Sequence, residues 1–226
     1  MKLFRQVVVV AGKDLRSEFR TKESLNAALS FAVVILVLFS FAVDPSSDQI
    51  REMAGGLLWL TFAFAGALIL NRSFARELPN DCLDALVASP VSGAALFLGK
   101  ATANCLLLMI VELICLPIFG VLYNMTWMGQ FPMLFLVFLL ASWGITVIGT
   151  IFSALTVNLR LRELMLPTLI YPMMIPALMA AMQLTTVLIA SNGIPADDWI
   201  WFRLLVGFDI IFTSLAVTLV EVVLLG

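Results

Sequence analysis

The chain has 226 residues, of which 62% are hydrophobic and 12% are charged, about half the charged share of an ordinary soluble domain. Its 13 basic and 15 acidic residues give a formal net charge of −2, and its mean hydropathy is +1.07. A water-soluble fold cannot bury this much apolar surface, so the composition excludes a soluble enzyme, and nucleic acid is not an expected partner.

Histidine is absent and cysteine is scarce. The three cysteines are Cys82, in a polar segment, and Cys105 and Cys115, in one apolar block, so no disulfide framework is expected. Without histidine the chain lacks the commonest metal ligand and the usual axial ligand of haem. We therefore expect no metal and no cofactor bound by this chain.

Residues 1–23 have the pattern of an amphipathic helix. At about 100° per residue the basic side chains gather on one face and apolar side chains line the other. This predicts a helix lying in the membrane interface, in preference to a cleaved signal peptide. Glu18 projects into the apolar face and therefore needs a partner. The polar residues expected to matter in this interfacial helix are Lys13, Asp14, Glu18 and Arg20.

Six apolar blocks follow, and each is close to the length that crosses a bilayer. They predict an all-α membrane protein in which residues 1–226 form one transmembrane domain. The predicted spans are 25–43, 53–70, 101–123, 131–157, 164–189 and 204–225.

The distribution of basic residues predicts the orientation. With the N-terminus inside, the inner segments hold eleven lysines and arginines, and the outer loops hold only Arg51 and Arg203. The positive-inside rule then places both termini in the cytoplasm.

Residues 71–100 form the longest segment between spans, and we expect it to be cytoplasmic. Charged and apolar side chains are interleaved there between Pro79 and Pro90, which favours a short docking helix on the membrane surface over an ordinary polar connection. The residues expected to couple to a partner are Arg72, Arg76, Glu77, Asp81, Leu83, Asp84, Leu86 and Pro90.

A nucleotide-binding loop at the end of this segment is rejected. Gly93 and Gly99-Lys100 are separated by five residues where a phosphate loop has four, and Ala101 stands where the Ser or Thr that binds magnesium belongs. If ATP drives this protein, a separate subunit must supply the nucleotide site.

Three acids fall inside predicted spans. Glu112 lies near the middle of the third span, Asp209 about two turns into the sixth, and Glu221 near the cytoplasmic end of the sixth. A carboxylate at the centre of a bilayer is costly, so Glu112 must face protein, face a cavity or carry a proton. A functional role and a structural interhelical hydrogen bond remain alternatives for Glu112.

The fifth span contains Pro167, Pro172 and Pro176. Each proline removes a backbone donor and bends a helix. A kinked, mobile helix beside a translocation path and a purely structural bend are the two interpretations.

Four runs in chain order resemble the haem exporter protein B family, the membrane permeases of cytochrome c maturation. They are KDLRSEFRTKE at 13–23, GGLLWLTFAFAGALILNRSFARE at 55–77, LVASPVSGAALFLGK at 86–100 and LPTLIYPMMIP at 166–176. The resemblance implies an ABC-2-like permease of the bacterial inner membrane, non-catalytic itself, with a cytoplasmic coupling helix between its second and third spans.

The resemblance also implies partners. The expected unit contains a second copy of this chain and two ABC ATPase subunits that bind ATP-Mg, together with other cytochrome c maturation membrane proteins. Its expected task is the export of haem or the release of a haem-loaded periplasmic chaperone. Haem would then be a transported or handled ligand.

Two other classes of function are weighed against this one. The first is a secondary transporter driven by an ion gradient. Paired repeats and paired acids at the membrane midplane would favour it, and neither is clear in the sequence. A membrane scaffold or membrane-embedded enzyme is the second, and no nucleophile or metal motif supports catalysis.

Overall fold

The computed structural model describes residues 2–43, 48–77, 91–156, 162–190 and 193–225. Among these residues, three short 3₁₀ turns lie between helices, at Ala75–Glu77, Met128–Gln130 and Ala196–Asp198. The helices of the described residues, in chain order, are α1 (Lys2–Thr21), α2 (Glu23–Ala42), α3 (Asp48–Asn71), α4 (Gly93–Leu122), α5 (Phe131–Thr156), α6 (Arg162–Ala190) and α7 (Trp199–Leu225).

Within the described residues, the helices α2 to α7 are each long and apolar enough to cross a membrane. Helix α1 is amphipathic, and it leaves Phe4, Val8 and Phe19 exposed on its apolar side. The chain is therefore an all-α, multi-pass membrane protein, and the predicted fold class with six spans is confirmed.

The centre of the bundle is built on α3, which packs against α6, α2 and α4. Trp59, Phe62 and Phe138 meet edge to face with ring centroids 5.5–5.6 Å apart. The Trp59 indole donates a hydrogen bond to Thr185 Oγ1 at 2.9 Å, so its polar edge is satisfied inside the apolar core. This contact helps to fix α3 against α6.

Small residues bring helices close together. A Cβ added at Gly55 would collide with the backbone oxygen of Met182, and the Gly55 amide donates to Thr186 Oγ1 at 3.0 Å. Glycine at this position therefore permits the close crossing of α3 and α6, as small residues commonly do between membrane helices.

Helix α4 begins earlier than the apolar pattern predicts. Ser92 caps it by accepting a hydrogen bond from the Ala95 amide at 3.3 Å, so the helix starts at Gly93 and not at residue 101. Helix α1 packs along these added turns, and a Cβ at Gly99 would lie 2.6 Å from Val10 Cβ. The last part of segment 71–100 is thus continuous with the third span.

Candidate functional site

The end of the bundle where α1 meets the start of α4 carries a charged cluster, which we call the basal network. Its members come from α1, the turn after α3, and α4, and they are Lys13, Asp14, Glu18, Arg76, Glu77 and Lys100. It holds three positive and three negative side chains, so formal charges balance within it. Within the network, Glu77 of the turn after α3 pairs with Lys13 of α1 and with Lys100 of α4.

Lys100 is the most buried cation of the network, with 1% of its surface exposed. Its ammonium lies 2.9 Å from Glu77 Oε1 and 3.1 Å from Asp14 Oδ2, and it donates to the Ser73 carbonyl at 2.9 Å. Three N–H donors therefore meet three oxygens. The Phe74 ring, 4.7 Å from the ammonium, covers a further side.

Lys13 reaches Glu77 from α1. Its ammonium donates to Glu77 Oε1 at 2.5 Å and lies 3.1 Å from Asp14 Oδ1. Burial acts to lower the pKa of Lys13, but the hydrogen bond to Glu77 and the negative charges of Asp14 and Glu77 outweigh it, so the pKa of Lys13 is raised above its usual value. The positive form of Lys13 is therefore part of the folded network.

Glu18 provides the second link between α1 and the turn after α3. It is completely buried, pairs with Arg76 and accepts a hydrogen bond from the Leu25 amide at 2.8 Å. Arg76 also donates to Ser24 Oγ. The partner that the sequence required for Glu18 is therefore Arg76, with the start of α2 as a third participant.

Uncharged groups extend the network toward the membrane. Asn104 Nδ2 donates to Ser73 Oγ at 2.9 Å and to Thr150 Oγ1 at 3.0 Å. One turn of α5 further along, Ser153 Oγ donates to the Leu70 carbonyl at 2.9 Å. Of these bonds, the one from Ser153 reaches α3 itself, where the Leu70 carbonyl also accepts a hydrogen bond from the Ser73 amide at 3.1 Å. The end of α3 is thereby fixed to α4 and α5.

The network can act mechanically. Glu77 lies immediately before residues 78–90, and it pairs directly with Lys100 of α4 and with Lys13 of α1. A force applied to the intervening residues would therefore reach α1, α3 and α4 together. Buried charges that are paired on several sides resist separation, because each would be left uncompensated.

The structure brings together most of the predicted residues of this region. Lys13, Asp14, Glu18, Arg76 and Glu77 form the network, and Arg72 pairs with Glu23 beside it. Arg20 is exposed and lies outside the network. The remaining predicted coupling residues lie outside the described residues, namely Asp81, Leu83, Asp84, Leu86 and Pro90.

Burial changes the expected place of one coupling residue. Glu77, predicted at a docking surface, is 6% exposed, because Lys13 and Lys100 both turn toward it. It is thus enclosed by this chain. The sequence did not predict that Lys100, Ser24 and Asn104 belong to this region. For Lys100 it held one indication, a charged residue at the edge of an apolar helix.

The intramembrane acids lie apart from the basal network. Glu112 on α4 is fully buried and accepts a hydrogen bond from Ser142 Oγ at 2.5 Å. Asp209 on α7 is 7% exposed and lies against Gly144 of α5. Searched over the described part of the chain, no group of three or more His, Cys, Asp or Glu residues is arranged to hold a metal ion.

The three prolines of the fifth span lie within the single helix α6. Pro172 and Pro176 are exposed and Pro167 is half-buried. The buried side of α6 is formed by other residues, including Leu166, Ile170 and Met174. The prolines thus lie on the outer side of this chain, where lipid or another protein chain could contact them, and the predicted kink stays a prediction.

Known proteins resemble the chain over most of its length. A family model described as "CcmB protein" matches residues 5–221. "Heme exporter protein B" of Rhodobacter capsulatus is 30% identical over 172 residues, which is 76% of this chain and 78% of that protein. The protein of the same name from Pseudomonas aeruginosa is 28% identical over 211 residues, or 92% and 93% of the two chains. The family match includes the basal network and both intramembrane acids.

Proposed function

This chain belongs to the CcmB protein family, and we propose that it is the membrane component of an ATP-driven export complex that serves cytochrome c maturation. The resemblance found in the sequence is thereby confirmed at the level of the family. The proposed complex exports haem or drives release of a haem-loaded periplasmic chaperone. In it this chain forms the membrane-spanning part, and a partner subunit hydrolyses ATP.

The observation that carries this proposal is the family match over nearly the whole chain, joined to the position of the basal network. Residues 78–90 begin and end at elements that buried ion pairs hold together. Such an anchored segment suits the transmission of movement from a nucleotide-hydrolysing partner into α1, α3 and α4. The rejected phosphate loop supports a separate ATPase, because Gly99 contacts Val10 and Lys100 is enclosed by ion pairs.

We place this end of the bundle in the cytoplasm of a bacterium, with the chain in the inner membrane. The eleven-to-two distribution of basic residues supports this orientation. The proposed unit has two copies of this chain and two ATPase subunits that bind ATP-Mg, and it works with further cytochrome c maturation proteins. Haem is its proposed ligand.

Co-purification tests the proposal. The full chain, tagged and extracted from its native membrane in mild detergent, should bring down an ABC ATPase in equal amount, and the complex should hydrolyse ATP. Cells that lack the chain should fail to assemble cytochrome c. A chain that purifies without an ATPase but restores cytochrome c assembly would contradict the proposal and favour a secondary transporter or scaffold.

A further inference from the structure

Among the side chains that the structure describes, two carboxyl groups, those of Glu112 and Asp209, are buried deep within the membrane-spanning helices. Glu112 is in α4, and none of its surface is exposed. Asp209 is in α7 with 7% of its surface exposed. Burying a charged carboxylate inside a membrane costs free energy unless it is paired with a cation or well hydrogen-bonded. The neighbours of each oxygen therefore decide whether the charged or the protonated form is stabilised.

Glu112 has one hydrogen-bond partner in the described structure. Ser142 Oγ donates to Oε1 at 2.5 Å, and Oε2 is buried without a partner. A single neutral hydroxyl does not balance a charge inside a membrane. A proton on Oε2 would remove the charge and leave the Ser142 hydrogen bond intact.

Asp209 has fewer hydrogen-bond partners than Glu112. Both of its oxygens are buried without a hydrogen-bond partner among the described residues. Gly144 of α5 lies directly against it, since a Cβ there would be 2.7 Å from Oδ1. The absence of a side chain at Gly144 therefore provides the space that the carboxyl group occupies.

No described cation lies in position to neutralise either group. Helix α5, which contacts both acids, has no charged residue, and the charged residues of α2, α3 and α6 all fall within the first five positions of those helices. On α4, Lys100 is twelve residues from Glu112, about 18 Å along the axis, and it is held in the basal network with the charges of α1. On α7, Arg203 is exposed and six residues from Asp209, about 9 Å.

The other titratable side chains within the membrane-spanning parts of α4 and α6 are two cysteines and a tyrosine. Helix α4 carries Cys105 and Cys115, whose side chains are 4% and 0% exposed. In the part of α6 within the membrane the one titratable group is Tyr171, which packs against Phe64 of α3.

We infer that Glu112 and Asp209 are two proton-binding groups inside the bundle, and that each carboxyl holds one exchangeable proton at neutral pH. This inference does not depend on an ATPase partner. Helix α7 is packed on fewer sides than α3 or α5, so its movement away from Gly144 is the step that would admit water to Asp209. Displacement of α7 and exchange of the Asp209 proton would then be linked.

Infrared spectroscopy of the full chain in lipid bilayers tests the site. A protonated carboxyl has a C=O stretching band separate from the carboxylate bands, and the band shifts in D₂O when its proton exchanges. We expect two such components at neutral pH, one lost in Glu112→Gln and the other in Asp209→Asn. Ser142→Ala should shift the Glu112 component without removing it.

Two exposed acids provide matched controls. Glu52→Gln and Asp197→Asn replace carboxyls near helix ends, and neither substitution should change the protonated-carboxyl bands at neutral pH. The inference is overturned if the wild type lacks either component, if the variant of either acid retains its component, or if prolonged D₂O exposure leaves either component unshifted. Binding of the ATPase partner should be unaltered in Glu112→Gln, which separates this result from the proposed function.

Discussion

Lys100 Nζ lies 2.9 Å from Glu77 Oε1, and so joins the two sides of the segment 78–90. Lys13 of α1 approaches the same oxygen at 2.5 Å. One buried carboxylate therefore links the amphipathic helix, the end of the second span and the start of the third. The turn that ends at Glu77 and helix α4 are therefore joined to each other and to α1 by ion pairs.

Removing the charge of Lys100 should destabilise the protein. Lys100→Met leaves Glu77 and Asp14 with fewer compensating charges in a buried site, which costs about 3–5 kcal/mol. The free energy of unfolding in mixed micelles measures the loss. Replacing Glu77 as well, in Glu77→Met/Lys100→Met, should recover a large part of it. If both variants are as stable as the wild type, Lys100 does not support the fold as described.

Adjacent glycines of α3 should respond differently to alanine. At Gly55 the new methyl group meets the Met182 backbone, and about 1–3 kcal/mol of stability should be lost. At Gly56 the nearest atom is the flexible Met182 Cε at 3.2 Å, so Gly56→Ala should have a smaller effect. Thermal unfolding of the two variants measures this, and equal effects would contradict the crossing of α3 and α6.

The Lys13 ion pairs should contribute to stability only below a high pH. Because the folded pKa is raised, this stabilisation is complete below the ordinary lysine pKa of about 10.4 and is lost as pH rises through the folded value. The stability difference between wild type and Lys13→Gln should therefore narrow in strong alkali. Lys22→Gln, which lies outside the network, is the control. A difference that stays constant through that range would exclude this role of Lys13.

Charge reversal should separate folding from docking. Glu77→Lys places a third cation beside Lys13 and Lys100, and should reduce the amount of folded protein in the membrane. Asp84→Lys should instead leave the folded amount unchanged and weaken co-purification of the ATPase. Asp197→Lys, at the other end of the bundle, controls for charge alone. Full ATPase recovery with Asp84→Lys would contradict docking at this residue.

The apolar pattern was sufficient to predict the six spans and the amphipathic α1. Lipid solvation requires long apolar helices, and this requirement is local in sequence. The need of Glu18 for a partner was also visible, because an acid on an apolar face is costly. Its identification as Arg76 was not, since the two residues are 58 positions apart and meet only through the packing of α1.

Glu77 and Lys100 show why the other contacts of the basal network could not be predicted from the sequence. Both looked like surface charges of a polar segment, yet helix packing encloses them. The start of α4 at Gly93 depends on the Ser92 cap and on contact with α1. Such features arise from the tertiary fold, and hydropathy averaged along the chain does not report them.

The most direct test of a cytoplasmic coupling segment uses the native Cys82. Cys105 and Cys115 are 4% and 0% exposed, so a membrane-impermeant maleimide should label Cys82 alone, with Cys82→Ser as the blank. We expect labelling in inside-out membrane vesicles, slower labelling when the ATPase is bound, and none in right-side-out vesicles. Labelling of Cys82 from right-side-out vesicles would place residues 71–100 on the outer side, where no ATP-hydrolysing partner could reach them.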